Sequence, residues 1–350
     1  MARFKRAIQL FFPLSLVLAL ILVSPWLGPA GAAAADPEEA AKIENAKKEG
    51  TLSFYTTMSV TAAEKLLGGF HRKYPFLKTE LYRAGSERLL TKITTEARAK
   101  KHIADVYLSD SLDTHIIMNE GLVRRYVSPE SKVYAAEFKH PEGFWTSSSI
   151  ITRVLGYNTK LVAPADVPKR YEDLLDPKWK GKLGMPTDEI GWFAGLLTSM
   201  GREKGLAFMK KLVQQDVQFR TGKTLLTQLL AAGEFSIAVV TNGDIVELLR
   251  RNGATIEWVG LEPVVSVLMP VMVANHAPHP HGAMLFVDFV LSREGQEIIR
   301  SVNRIPLRPD VPPNPPRLPQ GLKLLPSDPS WSGKEYTQLY RGIVSRKGGK

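Results

Sequence analysis

The chain has 350 residues, 44% of them hydrophobic and 23% charged, and no cysteine. This is the composition of a globular protein of about two domains, and the missing thiols exclude disulfide frameworks, thiolate metal centres, cysteine nucleophiles and lipid attachment to an N-terminal cysteine. Of the formal net charge of +11, Arg3, Lys5 and Arg6 lie in an acid-free leader; beyond residue 35, 43 basic side chains face 35 acidic ones, scattered in pairs such as Lys47-Lys48 and Arg250-Arg251 rather than in the stripe a nucleic-acid binder needs.

The first element in chain order is an export signal. MARFKR leads into the apolar stretch Ala7 to Leu27, then into Gly28-Pro29 and an alanine run ending at Ala35. Small residues at Ala33 and Ala35 suit signal peptidase. An uncleaved anchor is the rival reading, since the stretch is long enough to span a bilayer; Pro13 and Pro25 within it argue for cleavage. The expectation is a signal peptide over 1–35 and a soluble mature chain in the periplasm that is not a lipoprotein.

Short apolar runs then alternate with amphipathic ones. Asp36, Pro37, Glu38 and Glu39 start a helix that Gly50 closes. LSFYT at 52–56 reads as a buried strand, followed by a helix over 61–74. A strand near 78–82 leads through Gly85-Ser86 into a helix over 87–100, and ADVYL at 104–108 leads through Ser109-Asp110-Ser111 into another. The repeated strand, polar loop and helix predict a parallel α/β sheet whose loops lie at the carboxyl edge, where such sheets bind ligands.

A second series follows a break around 141–149. Ile150–Tyr157 reads as a strand and Tyr171–Trp179 as short helical turns. LGMP at 183–186 runs into Thr187-Asp188-Glu189-Ile190-Gly191-Trp192 at a helix start. VQF at 217–219 precedes Arg220-Thr221-Gly222-Lys223-Thr224 and a helix to about Ala232, and IAVV at 237–240 precedes Thr241-Asn242-Gly243-Asp244 and a helix to about Arg251. VVSVLMPVMVA at 264–274 reads as an extended return. A helix pair broken at Ser292 covers 281–302, a Pro-rich wrap covers 306–329, and a last helix over 332–345 packs on one lobe or stays loosely attached.

Several catalytic or metal-binding readings fail on spacing. His276, His279 and His281 in NHAPHPHG lack a nearby carboxylate or second cluster, so an exposed loop is the plain reading. Gly222-Lys223-Thr224 has Val217 where a phosphate-binding loop needs its first glycine, and GxSxG, HExxH and GxGxxG are all missing from the sequence. The chain reads as a protein that is not an enzyme and carries no cofactor or resident metal.

Seven pieces in order carry a family resemblance: TLSFYTTMSVTAAEKLLGGFHRKYP, ADVYLSDSLDTHIIMNEGLV, LGYNTKLV, YEDLLDPKWKGKLGMP, AAGEFSIAVV, AMLFVDFVLSREGQEII and NRIPLRPDV. Together they resemble extracellular solute-binding proteins of ABC importers, in the branch that includes ferric-ion binders. The resemblance implies an α/β, two-lobed type II periplasmic-binding-protein fold with a ligand cleft and two hinge crossings, near Ser147–Tyr157 and Val264–Met272. Lobe 1 would be 36–148 plus 272–350, and lobe 2 would be 149–271. The implied function is capture of a small-molecule solute by hinge closure and its delivery to an ABC permease and its ATPase by a monomer. A sensory receptor of the same fold is the alternative role.

Ferric binders of this branch place a tyrosine pair where this chain has Thr241, Asn242, Gly243 and Asp244. Thr57 and Ser59 stand where a His or Tyr ligand is usual, and Asp110 matches an acidic ligand position. Without phenolates a hard ferric ion loses its strongest partners, leaving ferric binding through non-tyrosine ligands as an alternative. The favoured solute is oxyanionic or zwitterionic. Ser86, Thr187, Thr221 and the backbone amides of Gly85, Gly191 and Gly222 sit at helix starts that favour negative groups. Arg220 and Lys223 add full charges, whereas Asp110, Asp188 and Asp244 repel a simple anion unless they act as helix caps. Trp192 and Tyr55 either stack on the solute or fill a core.

Overall fold

The computed structural model describes residues 37–315 and 322–344; the export segment over 1–35 lies outside them. Among the described residues, no helix is long and apolar enough to cross a membrane. The chain begins α1 (Pro37–Glu49), β1 (Thr51–Thr56), α2 (Val60–Lys73), β2 (Lys78–Arg83), α3 (Ser86–Arg98), β3 (Val106–Leu108) and α4 (Ser111–Asn119). β1 is flanked in parallel by β2 and β3. It is buried from Leu52 to Thr56, as a strand covered by helices on both faces must be. One covering is α2, whose Ala62, Ala63, Leu66, Leu67 and Phe70 share one buried stripe.

The second series comprises β4 (Thr146–Asn158), β5 (Leu183–Pro186), α5 (Ile190–Met200), α6 (Arg202–Val213), β6 (Gln218–Arg220), α7 (Lys223–Ala232), β7 (Ile237–Asn242), α8 (Gly243–Arg251) and β8 (Ile256–Val259). After it come β9 (Val264–Val273), α9 (Pro280–Leu291), α10 (Arg293–Ser301), β10 (Ile305–Pro306), β11 (Leu324–Pro326) and α11 (Lys334–Val344). β4 starts earlier than its apolar run suggests, because Ser147, Ser148 and Ser149 are buried within the strand. α6 escapes the sequence reading, yet its Gly205, Phe208, Met209, Leu212 and Val213 follow helical spacing.

The strand order β2-β1-β3-β9-β4-β7-β5-β6 joins two parallel sheets through an antiparallel pair. β9 lies against β3 through Val273, Met272 and Val271, and its earlier residues pair with the first half of β4, as in Ile150 with Leu268 and Thr152 with Ser266. The second half of β4 pairs with β7 and β8. β4 therefore runs from one sheet into the other, while β9 stays paired in the first sheet and sends side chains into both cores, Val271 and Val273 into one and Val265 and Val267 into the other. Each sheet has its own core: one centres on Phe54, Phe70, Phe286 and Phe289, with Phe54 and Phe286 edge-on at 4.8 Å; the other centres on Trp192, Phe193, Leu183 and Met209.

The described C-terminal segment departs from the expected division, which gave all of 272–350 to the first lobe. Trp331, Tyr340 and Ile343 belong to the second core, and the Tyr340 hydroxyl donates to the Pro186 carbonyl at 2.6 Å. α11 buries Tyr340 and Ile343, and it packs against α5 and α6, with the Tyr340 ring on Phe193. The segment also touches the first lobe, through Ser327 and Ser111 hydroxyls 2.6 Å apart and Arg341 with Glu87 at 2.7 Å.

The corner between α9 and α10 depends on small groups. Ser292 accepts from the Gly295 amide at 3.2 Å, and a Cβ on Gly295 would fall 2.0 Å from the Phe289 carbonyl oxygen. Gly295→Ala is expected to destabilise the protein by about 2 kcal/mol or more, within the range for overpacking, read as a lowered urea midpoint; an unchanged midpoint would refute this packing account.

Candidate functional site

A cavity of about 320 Å³ lies between the two sheets, a volume suited to a small solute. It is built from helix starts at strand ends. The N-terminus of α2 contributes Thr57 and Ser59, that of α3 Gly85 and Ser86, and that of α4 Asp110; the second sheet contributes Glu189 and Gly191 before and in α5, Gly222 and Lys223 at α7, and Asn242 and Asp244 at α8. Two starts are capped by their own side chains: Ser59 accepts from Ala62 at 3.4 Å, and Asp110 Oδ1 accepts from Leu112 and Asp113, both at 3.1 Å. At the other four, the cap residues Gly85, Glu189, Gly222 and Asn242 make no side-chain cap bond. Backbone donors at such ends favour an anion.

The reason two of these caps are diverted is a buried charge network. Glu189, 2% exposed, accepts from Arg153 Nε at 2.7 Å and from Lys223 Nζ. Arg153 Nη1 donates to Asn242 Oδ1 at 2.7 Å. Burial opposes ionisation of Glu189, but Arg153 and Lys223 outweigh it and hold the carboxyl below its ordinary range.

The remaining charges are less well answered. Arg304 lies within 3.3 Å of Asp244 through Nε, yet its Nε and Nη1 have no aligned hydrogen-bond acceptor. The 3.3 Å approach is therefore an ion pair without a hydrogen bond, weaker than a fork. Burial lowers the Arg304 guanidinium's pKa, and Arg153 and Arg83 lower it further against the opposing pull of Asp244. Arg83 donates through Nε to the Met58 carbonyl at 2.8 Å. Across the cavity, Asp113 Oδ2 and Asp188 Oδ1 are buried without partners. Burial first, and neighbouring Asp110 second, push the Asp113 carboxyl well above its ordinary value; Asp188 and Asp244 are raised chiefly by burial.

Of the residues singled out in the sequence, Thr57, Ser59, Ser86, Asp110, Asp188, Lys223, Asn242 and Asp244 line the cavity. Thr187, Trp192, Arg220 and Thr221 do not. Trp192 is 1% exposed in the second core, its indole donating to Tyr171 at 3.2 Å, because it starts a helix whose apolar face turns inward. Arg220 folds back on its own strand, onto the Phe219 carbonyl and the Gln218 side chain, both at 3.0 Å. The Thr187 amide bonds the Arg220 carbonyl at 3.1 Å, within the strand-end pairing, and Thr221 is exposed. Tyr55 is buried beside Tyr82 and Tyr107. The histidine tract serves α9: His279 and its amide bond Asp105 at 2.9 and 2.7 Å, and His281 bonds Glu49 at 2.7 Å.

Sequence reasoning missed Arg83, Arg153, Asp113, Glu189 and Arg304, all at the cavity. Arg153 had a signal, as a lone charge in the buried run ITRVLGYN that needs a buried partner. Arg304 follows Asn303, whose φ of 62° turns the chain after α10, and no local pattern reveals where such a turn aims the next side chain.

Two expectations follow from these charges. Glu189→Ala strands Arg153 and Lys223 and is expected to cost about 3–5 kcal/mol, measured by denaturant unfolding. For Asp113 the sign is opposite. Below its ordinary value of 3.8 the carboxyl is protonated folded or unfolded and nothing is lost; as pH rises, the unfolded chain ionises first and the folded state is penalised. Asp113→Asn should therefore raise the melting temperature at pH ~7, with the gain fading towards pH ~4; a loss of stability at neutral pH would contradict it.

The sequence pattern of the family described as bacterial extracellular solute-binding protein matches residues 103–328. A Haemophilus influenzae protein described only as uncharacterized is 30% identical over 269 residues, covering 73% of this chain and 76% of that protein. Iron uptake protein A1 of a Synechocystis species is 25% identical over 259 residues, covering 68% of this chain and 71% of that protein. Among solved structures, the periplasmic binding protein AfuA of Actinobacillus pleuropneumoniae, with exogenous fructose-6-phosphate bound, superposes with a TM-score of 0.76 at 23% identity, covering 86% of this chain and 99% of AfuA. With its two joined sheets and the cavity between them, the chain belongs to the bacterial extracellular solute-binding proteins and has the two-lobed α/β fold of periplasmic receptors.

Proposed function

We propose that this protein captures a small solute bearing an anionic oxygen group, closes on it by rotation of the lobes about β4 and β9, and hands it unaltered to an ABC permease driven by its ATPase. It would be exported by the segment 1–35 and work as a periplasmic monomer. Lobe 1 would comprise 36–148 and the chain from 272 through β10, and lobe 2 would comprise 149–271 with α11 docked on it. The observation that carries this reading is the convergence of uncapped helix starts at Gly85, Glu189, Gly222 and Asn242 on a cavity that also holds Arg83 and Arg304. The fructose-6-phosphate in AfuA is an oxyanion of the class such a site suits.

The name of the Synechocystis relative favours iron as the second reading. Against it, the cavity lining among the described residues has neither tyrosine nor histidine. Among the described residues, no group of three or more histidine or carboxylate side chains is placed to hold a metal, and hard ferric ion depends on converging anionic oxygens.

Calorimetry with phosphate, sugar phosphates, phosphonates, sulfate, carboxylates and ferric ion separates the two readings. An oxyanion should bind and shrink the radius of gyration in X-ray scattering, and Arg83→Ala should weaken it at least about tenfold, ~1.4 kcal/mol. Binding of ferric ion alone, or binding without closure, would overturn the reading. Stimulation of the permease ATPase by the loaded receptor distinguishes delivery from sensing.

A further inference from the structure

The cavity's charges fall into two groups, one of Arg83 and Arg304 with Asp244 beside them, the other of Asp110, Asp113 and Asp188. Arg83 and Asp244 also line an adjoining groove between α2 and α8, whereas Asp110, Asp113 and Asp188 face the main cavity alone. Arg83 and Arg304 repel each other, and Asp113 is repelled by Asp110 and Asp188. Between them Glu189 takes up both Arg153 and Lys223, and from longer range Lys223 also acts on Asp113 and Asp188 and Arg153 on Asp110. Among the described residues, no ion pair within 4 Å engages Arg83, Asp110, Asp113 or Asp188.

Each pole also holds a buried side chain with unused bonding capacity. Arg304, 3% exposed, has donors without acceptors, and Asp113, 7% exposed, has an acceptor oxygen without a donor. A bare oxyanion would satisfy only the first. A metal cation at the second is disfavoured because those carboxylates do not converge as a metal site. Separate acceptor oxygens suit a group with several diverging N–H donors, which is the geometry of an ammonium.

We propose that the solute is bipolar, with its oxyanion against Arg83 and Arg304 and a primary ammonium against Asp113, Asp188 and Asp110. The proposal rests on the receptor reading above and narrows it to amino-oxyanions whose two charges are separated by a short chain, as a cavity of about 320 Å³ allows.

The test is calorimetry on the full-length mature receptor with aminoethylphosphonate, ethylphosphonate and ethylenediamine, repeated with β-alanine and propionate. The amine-bearing oxyanion of one pair should bind at least about tenfold more tightly than its amine-free partner, and the diamine should not bind. Asp113→Asn, and separately Asp188→Asn in case the first variant fails to fold, should reduce that preference to about threefold or less. Equal affinities within a pair would overturn the bipolar proposal and leave the oxyanion receptor standing. An unaltered preference in both variants would overturn the placing of the ammonium, and binding of neither pair would overturn the proposal as a whole. Ferric ion as the sole ligand would overturn both this proposal and the reading on which it rests.

Discussion

The buried carboxylate of Glu189 is the interaction on which the cavity depends. It stands at the end of β5 and is held by Arg153 from β4 and Lys223 from α7, while Arg153 reaches on to Asn242 at the end of β7. A carboxylate taken so far from water survives only because two cations answer it, so the middle of β4, the ends of β5 and β7 and the starts of α5, α7 and α8 are locked into one arrangement. The same network has a second effect. Glu189 and Asn242 occupy the positions from which a side chain would ordinarily cap α5 and α8, and their oxygens are engaged elsewhere. The helix amides of α5 and α8 thereby lack a side-chain cap, which is what the proposed oxyanion site draws on.

The C-terminal segment completes the wall. Trp331, Thr337 and Arg341 line the cavity, and Gly195 on α5 is small enough to admit the Trp331 ring, whose atoms lie 3.2 and 3.3 Å from where a Cβ would be. Anchored on α5 by Tyr340, the segment reaches α3 and α4 through Glu87 and Ser111. Contacts that cross between lobes belong to a closed arrangement, and exposed pairs such as Arg341 with Glu87 are individually weak. If the lobes separate as proposed, such contacts could be broken and remade without large cost.

A cavity lined in this way is a compromise. Buried atoms without hydrogen-bond partners, such as Asp113 Oδ2 and Arg304 Nη1, oppose folding, and substitution of Asp113 by a neutral residue is expected to relieve the chain. Stability and recognition are thus opposed at the same atoms, as they commonly are where a site is built to be completed by its ligand.

Much of the architecture was legible in the chain. Apolar runs bounded by polar turns placed most of the strands, and Asp110 and Ser292 stood at breaks before helices that they do cap. Because a parallel sheet gathers its carboxyl-end loops on one edge, Ser86, Asp188 and Lys223 could be nominated from local pattern, whereas the nomination of Thr57 and Asn242 rests on the family resemblance. Local pattern could not say that Trp192 turns into the core while Gly191 beside it faces the cavity, since one residue along a helix is a rotation of about 100°. Nor could it bring Arg83, Arg153 and Arg304 together. They lie on separate turns of the chain, and only the pairing of β4 with β9 and the turn after α10 carry them to one place. Periodicity and capping are interactions among neighbours in sequence and so can be read from it, whereas a binding cavity is made by charges that become neighbours only when the sheets join.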